Sequence, residues 1–388
     1  MTVVEHGSIA VVTPVYNGAP WLAECIESVL AQTDGNWTHV IADNCSTDGS
    51  AEIAEAYAAR DPRITVRRHT THLPPIPNWN RTLMLIPDDA VYCKIVLADD
   101  MLYPECLERM VEVAEEFPSV GVVSAYEQRG DEVSLRGLPP EVRFFPGRAL
   151  CHHVLLQGGY YFGSPSSTLL RASLVRARNP KFYNEDYLER GPRDTARLEQ
   201  LWPAQHSVFV HHHADTEACY ALLVNHDFGF VHEVLTYTRM HPATITSNWT
   251  QRIDTWTPGT LATVLRCGRF FLNEQEYRRV LRTLVRRYEL RMLISAARLR
   301  VVRNPDYRRY HAEALERLQP ALRDAPVNAL LLSLFRILLR GWHIGGMWRA
   351  HRSARSVEPD VVGAQGALDT HEVGADDNES QSKPELVV

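Results

Sequence analysis

Two adjacent aspartates, Asp99 and Asp100, close the short apolar run Val91–Ala98 (VYCKIVLA). Neighbouring carboxylates at the end of a buried strand repel each other unless a cation or protons intervene. Mg²⁺ and Mn²⁺ take oxygen ligands and bridge phosphate oxygens, so the pair suits a divalent cation on a phosphorylated ligand. It equally suits a turn or cap ahead of Pro104. Two further polar segments follow apolar runs in the same way. Thr13, Pro14, Val15, Tyr16 and Asn17 come after Ser8–Val12, and Asp43 and Asn44 come after His39–Ala42. The first of these also reads as a plain turn, because Pro14, Asn17 and Gly18 are turn formers. Asp215 opens the helical stretch Thr216–Asn225, where a carboxylate can cap a helix or accept a proton. Arg81 rides on Asn78–Ile86 and could meet a diphosphate or only water.

The elements that must position these residues alternate. Ser8–Val12, His39–Ala42, Ile64–Arg67, Val91–Ala98 and Val120–Ser124 are short and rich in apolar or β-branched residues, as buried parallel strands are. Between them, Trp21–Leu30, Ser50–Ala59, Asn78–Ile86 and Pro104–Phe117 carry helical spacing, the last with Pro early and Pro118 just past its end. Asp48-Gly49 is expected to cap the helix from Ser50. Strands and helices in alternation predict a mostly parallel sheet covered on both faces, with its ligand at the strands' carboxyl edge. Residues 129–143 are turn-rich, Tyr160–Leu170 and Phe228–Leu235 read as further strands, and the pattern from about 260 to 340 is wholly helical.

Charge and cysteine usage narrow the class. The chain has 388 residues and a formal net charge of -6, which gives no global sign of nucleic-acid binding. The balance is uneven: residues 266–355 hold 20 Arg against 7 acidic residues, and 357–388 hold 8 acidic residues against Lys383. The tail, with few aromatics, predicts disorder. The seven cysteines are scattered without a CxxC pair, so a disulfide framework or zinc site is not expected. The runs His211–His213 and Cys151–His153 give no better zinc site, since consecutive strand residues point to opposite faces. No signal peptide or uninterrupted apolar span is apparent, which points to a reducing, cytoplasmic setting. Residues 326–349 are strongly apolar with Arg and Trp interleaved, a composition that fits either a helix packed on the rest of the protein or peripheral contact with the membrane's inner face. No GxxxxGK[ST] and no GxGxxG after the first strand occur, which excludes P-loop and Rossmann dinucleotide chemistry.

Six segments taken in order, TPVYN (13–17), ADNCSTDGS (42–50), NWNRTL (78–83), LADD (97–100), GSPSSTLLRASLV (163–175) and ADTEACYALLVNHDFGFVHEVLTYTRMH (214–241), resemble family 2 glycosyltransferases of the GT-A fold. The resemblance covers roughly residues 8–245. It implies a GT-A-like, mostly parallel mixed sheet in a domain over 1–248, with a nucleotide half near 1–126 and an acceptor half near 127–248. An Arg-rich helical extension over 249–355 and the acidic tail would follow. It implies metal-dependent, inverting and non-processive transfer of a sugar from a nucleoside-diphosphate donor, a UDP-sugar being favoured, to a hydroxyl of a saccharide or lipid-linked acceptor. By resemblance, Asp100 binds Mn²⁺ or Mg²⁺ with Asp99 beside it on the donor's ribose or sugar. Thr13, Pro14, Val15, Tyr16, Asn17 and Asp43 hold base and ribose, Arg81 reaches the diphosphate, and Asp215 is the base, with Glu217 at a second acidic position. Arg239 and His241 would lie near diphosphate or metal, or serve the structure. Asn44 and Cys45 depart from the commoner pattern, which has a second Asp and a Gly there. The alternatives are a nucleotidyltransferase acting on a sugar phosphate, against which TPVYNGAP with no Lys or Arg weighs, and a non-catalytic nucleotide-sugar-binding protein.

Overall fold

A computed structural model describes residues 7–185, 213–242, 244, 253–297 and 304–322. The segment 326–349, the acidic tail, and His211 and His212 lie outside the described residues. Ten strands form one sheet in the order β3-β2-β1-β4-β9-β6-β10-β5, with β7 pairing β6 and β8 pairing β10. The strands are β1 (Ile9–Val15), β2 (Trp37–Asp43), β3 (Ile64–Arg68), β4 (Tyr92–Ile95), β5 (Met101–Leu102), β6 (Val120–Arg129), β7 (Glu132–Ser134), β8 (Phe144–Phe145), β9 (Thr168–Arg171) and β10 (Asp227–Thr238). β1 pairs in parallel with both β2 and β4, β2 with β3, and β6 with β10, while β9 runs antiparallel between β4 and β6. The sheet is therefore mixed and mostly parallel. Strand order reverses at β1, since β2 and β3 lie to one side and β4 to the other. A crevice opens at such a switch point, outside the carboxyl ends of the strands.

The helices are α1 (Ala19–Leu30), α2 (Ser50–Ala58), α3 (Pro75–Leu83), α4 (Cys106–Glu116), α5 (Gly147–Gln157), α6 (Ala172–Arg176), α7 (Ala214–Leu223), α8 (Trp256–Phe271), α9 (Glu274–Ala297) and α10 (Pro305–Leu322). β1 is buried along its whole length, and its side chains alternate between two cores. Ile9, Val11 and Val15 join Leu22, Ile26, Leu107 and Met110 of α1 and α4 on one face. Ala10 and Val12 join Ile76, Leu83, Leu150 and Leu222 of α3, α5 and α7 on the other. A third core unites α8, α9 and α10 around Leu261, Leu281, Tyr288, Tyr307 and Leu315. Leu155 of α5 packs against that third core, and Cys267 of α8 belongs to the sheet's core. No helix among the described residues is long and apolar enough to cross a membrane.

The structure departs from the sequence expectations in two places. Only the end of Tyr160–Leu170 is a strand. Gly163 stands at φ 76° and Pro165 opens a 3-10 turn at Pro165–Ser167, which delays β9 until Thr168. A Cβ on Gly163 would meet Ser167 Cβ at 2.4 Å, so the close turn requires glycine. The segment holding Cys151, His152 and His153 is helical, not extended. Cys151 is buried, and His152 Nε2 lies 3.2 Å from Glu276 of α9.

Candidate active site

The loops after β1 and β2 are locked together. The Asn17 backbone N–H donates to Ser46 Oγ (2.9 Å), and the Thr47 N–H donates to Asn17 Oδ1 (2.9 Å). Asp48 accepts the Ala19 N–H at 3.0 Å and the Ser50 N–H at 3.1 Å, so it caps the starts of both α1 and α2. Asn17 and Cys45 both adopt left-handed backbone, at φ 51° and 63°. Asn tolerates that region. A residue with an ordinary Cβ is strained there by about 1–2 kcal/mol, a physical reason for Gly at position 45 in the commoner pattern. The Cys45 thiol donates to the His69 carbonyl at 2.9 Å.

Of the first predicted segment only Tyr16 and Asn17 reach the surface. Thr13, Pro14 and Val15 are buried, and Thr13 Oγ1 is 2.8 Å from His39 Nε2. Tyr16, 53% exposed, packs its ring 4.4 Å from that of His72. Asp43 is buried; its Oδ2 accepts the Ser46 N–H at 3.2 Å, while its Oδ1 has no partner. A buried carboxylate oxygen without a donor is costly, and a ligand hydroxyl or N–H can supply one. Asn44 and Arg81 are occupied otherwise. Asn44 exchanges two hydrogen bonds with Leu73 (2.8 and 2.9 Å), and Arg81 donates to Asn44 Oδ1 (2.6 Å), Asn78 Oδ1 (3.1 Å) and the Thr71 carbonyl (2.8 Å). Both brace the loop over 71–78.

The aspartate pair sits in the turn after β4. Asp100 is 2% exposed; its Oδ2 accepts from Ser166 Oγ at 2.6 Å and its Oδ1 from the Arg239 backbone N–H at 3.2 Å. Burial first, and then the charge of Asp99, hold the Asp100 carboxyl well above the usual carboxylate range. Ser166 is a bridge, since its Oγ also accepts the Leu97 N–H at 3.0 Å. Asp99 Oδ2 lies 3.1 Å from His241 Nε2, and the His241 ring stacks on Trp21 at 4.0 Å. Arg239 Nε donates to the Asp99 carbonyl at 3.1 Å, and its guanidinium pairs with Glu24. Residues 66 to 142 positions away in sequence therefore hold the aspartates in place.

Asp215 is the second residue of α7, and its Oδ1 accepts the Thr216 N–H at 2.7 Å. It lines a small hollow with Gly163, Ser164, Pro165 and Tyr183. The next residue after Pro165 is Ser166, the group holding Asp100. Burial and then the charge of Asp215 raise the phenols of Tyr160 and Tyr183 well above their ordinary value. Glu217, buried, is engaged with Arg266 (2.9 Å) and Asn184 (3.0 Å), which ties α7 to α8. Sequence reasoning missed Ser166, Trp21 and Glu127, the last fully buried with Arg129 at 3.1 Å. The SPSS string was a visible signal for Ser166; Trp21 and Glu127 carry none.

A mixed sheet reversing at β1, with carboxylates at its carboxyl edge, gives this domain a GT-A-like fold. Residues 10–177 match the family model described as Glycosyl transferase family 2. The chain is 30% identical over 155 residues to the putative glycosyltransferase EpsE of Bacillus subtilis, covering 38% of this chain and 55% of that protein. It is 30% identical over 118 residues to the glycosyltransferase GlyG of Streptococcus pneumoniae, covering 30% of this chain and 38% of that one. The chain thus spans about half or less of the length of these curated relatives. Among solved structures, S. aureus TarS 1-349 in complex with UDP-GlcNAc superposes with a TM-score of 0.55 at 15% identity, covering 87% of this chain and 92% of that one.

Proposed function

We propose that the protein transfers a sugar from a nucleoside-diphosphate donor to an acceptor hydroxyl, with a divalent cation and inversion at the anomeric carbon. The observation that carries this reading is the state of Asp100: an acidic group buried beside a second carboxylate, its ionised form disfavoured until positive charge arrives. Asp100 and Asp99 are hard oxygen donors that suit Mg²⁺ or Mn²⁺. Among the described residues no three His, Cys, Asp or Glu side chains form a cage, so such an ion would need further ligands from substrate phosphates and water. Such an ion would offset the charge gathering on the departing diphosphate.

The unpartnered Asp43 oxygen would accept from the nucleoside, and the exposed Tyr16 ring would offer a face to the base. Asp215 takes the proton of the acceptor hydroxyl. The acceptor oxygen bonds to the anomeric carbon as the bond to the diphosphate oxygen breaks, and that electron pair leaves with the diphosphate. TarS was solved with UDP-GlcNAc, which favours a UDP-sugar as the first donor to try. A thermal-shift screen of nucleotide-sugars with and without Mn²⁺ tests the proposal. Metal-dependent stabilisation by one donor is expected; no stabilisation by any nucleotide-sugar would end it.

A further inference from the structure

Helix α9 has an inward and an outward side. Leu281, Leu284, Tyr288 and Met292 point into the third core. Val280, Thr283 and Leu284 wall a cavity of about 260 Å³ that also touches α5, α7 and α8, with Thr216, the neighbour of Asp215, in its lining. The outward side carries Arg279, Arg282, Arg286 and Arg287, followed by Leu290, Leu293 and Ile294, every one exposed. At about 100° per residue these positions share an arc of roughly 140°, and they cover roughly 22 Å of the helix axis. Leu290 is 57% exposed, Leu293 44% and Ile294 42%. Single exposed apolar residues are ordinary, but three at i, i+3 and i+4 on one helix face make a patch that marks a contact surface.

The same face is cationic, and its charge is not neutralised by the protein. The arginines at its flanks are paired: Arg278 with Glu274 at 2.7 Å and Arg291 with Asp254 at 3.5 Å. Arg279, Arg282, Arg286 and Arg287 form no ion pair among the described residues. Glu276, one turn before Arg279, faces His152 at 3.2 Å. From 279 to 294 the chain holds five arginines and a single acid, Glu289, which stands half-buried beside the face. A partner for this surface must therefore answer both free guanidiniums and an adjoining apolar patch. A soluble polyanion answers only the first. A second copy of the chain brings the same cationic face and no acid to meet it. An anionic bilayer answers both: its phosphates accept paired hydrogen bonds from guanidinium groups, and the zone beneath them takes apolar side chains.

We propose that the outward face of α9 docks the protein on an anionic lipid surface, with its arginines on the headgroup phosphates and Leu290, Leu293 and Ile294 in the boundary above the acyl chains. The docking helix is tied to the sheet domain, since Glu276 of α9 meets His152 of α5 and Leu155 of α5 packs on the third core. Docking through α9 therefore sets how the sheet domain faces the surface. This contact is separate from residues 326–349, and it stands whether or not the transfer reading above holds.

Sedimentation of the full chain with two kinds of vesicle tests it: phosphatidylcholine alone, and phosphatidylcholine with about one-third phosphatidylglycerol. Wild type is expected to partition at least about tenfold more strongly onto the anionic vesicles, because each arginine near such a surface adds roughly fivefold. The double variant R282Q/R286Q, whose positions do not line the cavity, should lose at least about tenfold of that binding. L290Q/L293Q should lose about tenfold or more on vesicles yet keep its attraction to heparin, a soluble polyanion with no apolar layer. All four positions are exposed, so melting temperatures should match wild type and show that each variant is folded. Equal partition of wild type onto both vesicle types would overturn the proposal. Undiminished binding in both folded variants would also overturn it, by placing the lipid contact elsewhere in the chain. L290Q/L293Q binding anionic vesicles as wild type does, with heparin bound as tightly as vesicles, would make the face a site for soluble polyanions instead.

Discussion

Replacing Ser166 by Ala removes one oxygen atom and two hydrogen bonds. The Ser166 hydroxyl donates to the Asp100 carboxylate at 2.6 Å and accepts the Leu97 N–H at 3.0 Å, and the side chain is fully buried. A hydrogen bond to a charged group contributes about 1.5–3 kcal/mol, and a buried N–H left unpaired costs about 1–3 kcal/mol. The two together give a loss of about 2.5–6 kcal/mol, or a melting temperature lower by at least roughly 5 °C in a domain of this size. The bond to Asp100 favours the ionised carboxylate, so its removal pushes that carboxyl further above its usual range. Because the folded-state value lies above the unfolded one, the group's contribution to stability is present at low pH and lost as pH rises through the folded value. The deficit of Ser166→Ala should therefore be larger at pH 8 than at pH 5 when measured in chelator. Protons also compete longer with the cation, so the acidic limb of Mn²⁺-dependent donor binding should move to higher pH. Scanning calorimetry with chelator, and donor titrations with Mn²⁺ across pH, read both effects. A variant melting within about 1 °C of wild type, with the acidic limb unmoved, would refute the bracing role assigned to Ser166.

Three other outcomes follow from the site and the core. Asp215→Asn should keep donor binding within a few-fold and lower transfer by about 10²–10⁴, the usual worth of a positioned base; near-wild-type turnover would exclude Asp215 as the base. Asp43→Ala removes an oxygen that lacks a partner in the free protein, so donor affinity should fall by about tenfold or more, and it also removes the acceptor of the Ser46 N–H, so unliganded melting should fall modestly; unchanged donor titrations would show that the vacant oxygen is not used. Burial holds His39 down to about 3 and His311 down to about 4. Both folded values lie below the ordinary value near 6.5, so this stability is full above pH about 6.5 and drains as pH falls toward about 3–4. Denaturant midpoints from pH 7 to 4.5 should decline, less steeply in His39→Gln; a flat profile would contradict neutral burial of these rings.

The sequence by itself determined the alternation of strands and helices, because parallel strands buried on both faces leave apolar runs such as IAVV and VYCKIVLA, and amphipathic helices leave spaced ones. It also determined which chemical groups stand at the strand ends, since Asp43, Asp99 and Asp100 each follow such a run. Three things were decided only by the tertiary structure. The first was which of the strand-end groups turn outward: Thr13 and Asn44 carry ligand-binding chemistry, yet the fold spends them on His39 and on the loop at Leu73. The second was the bracing of Asp100 by Ser166 and Arg239, contacts 66 and 139 residues distant that no local pattern encodes. The third was the cavity beside Asp215, which takes its walls from four helices whose apolar faces, read singly, promise only a core. Local periodicity reports how each segment is solvated, whereas the partners of a side chain depend on which segments the folded chain brings together.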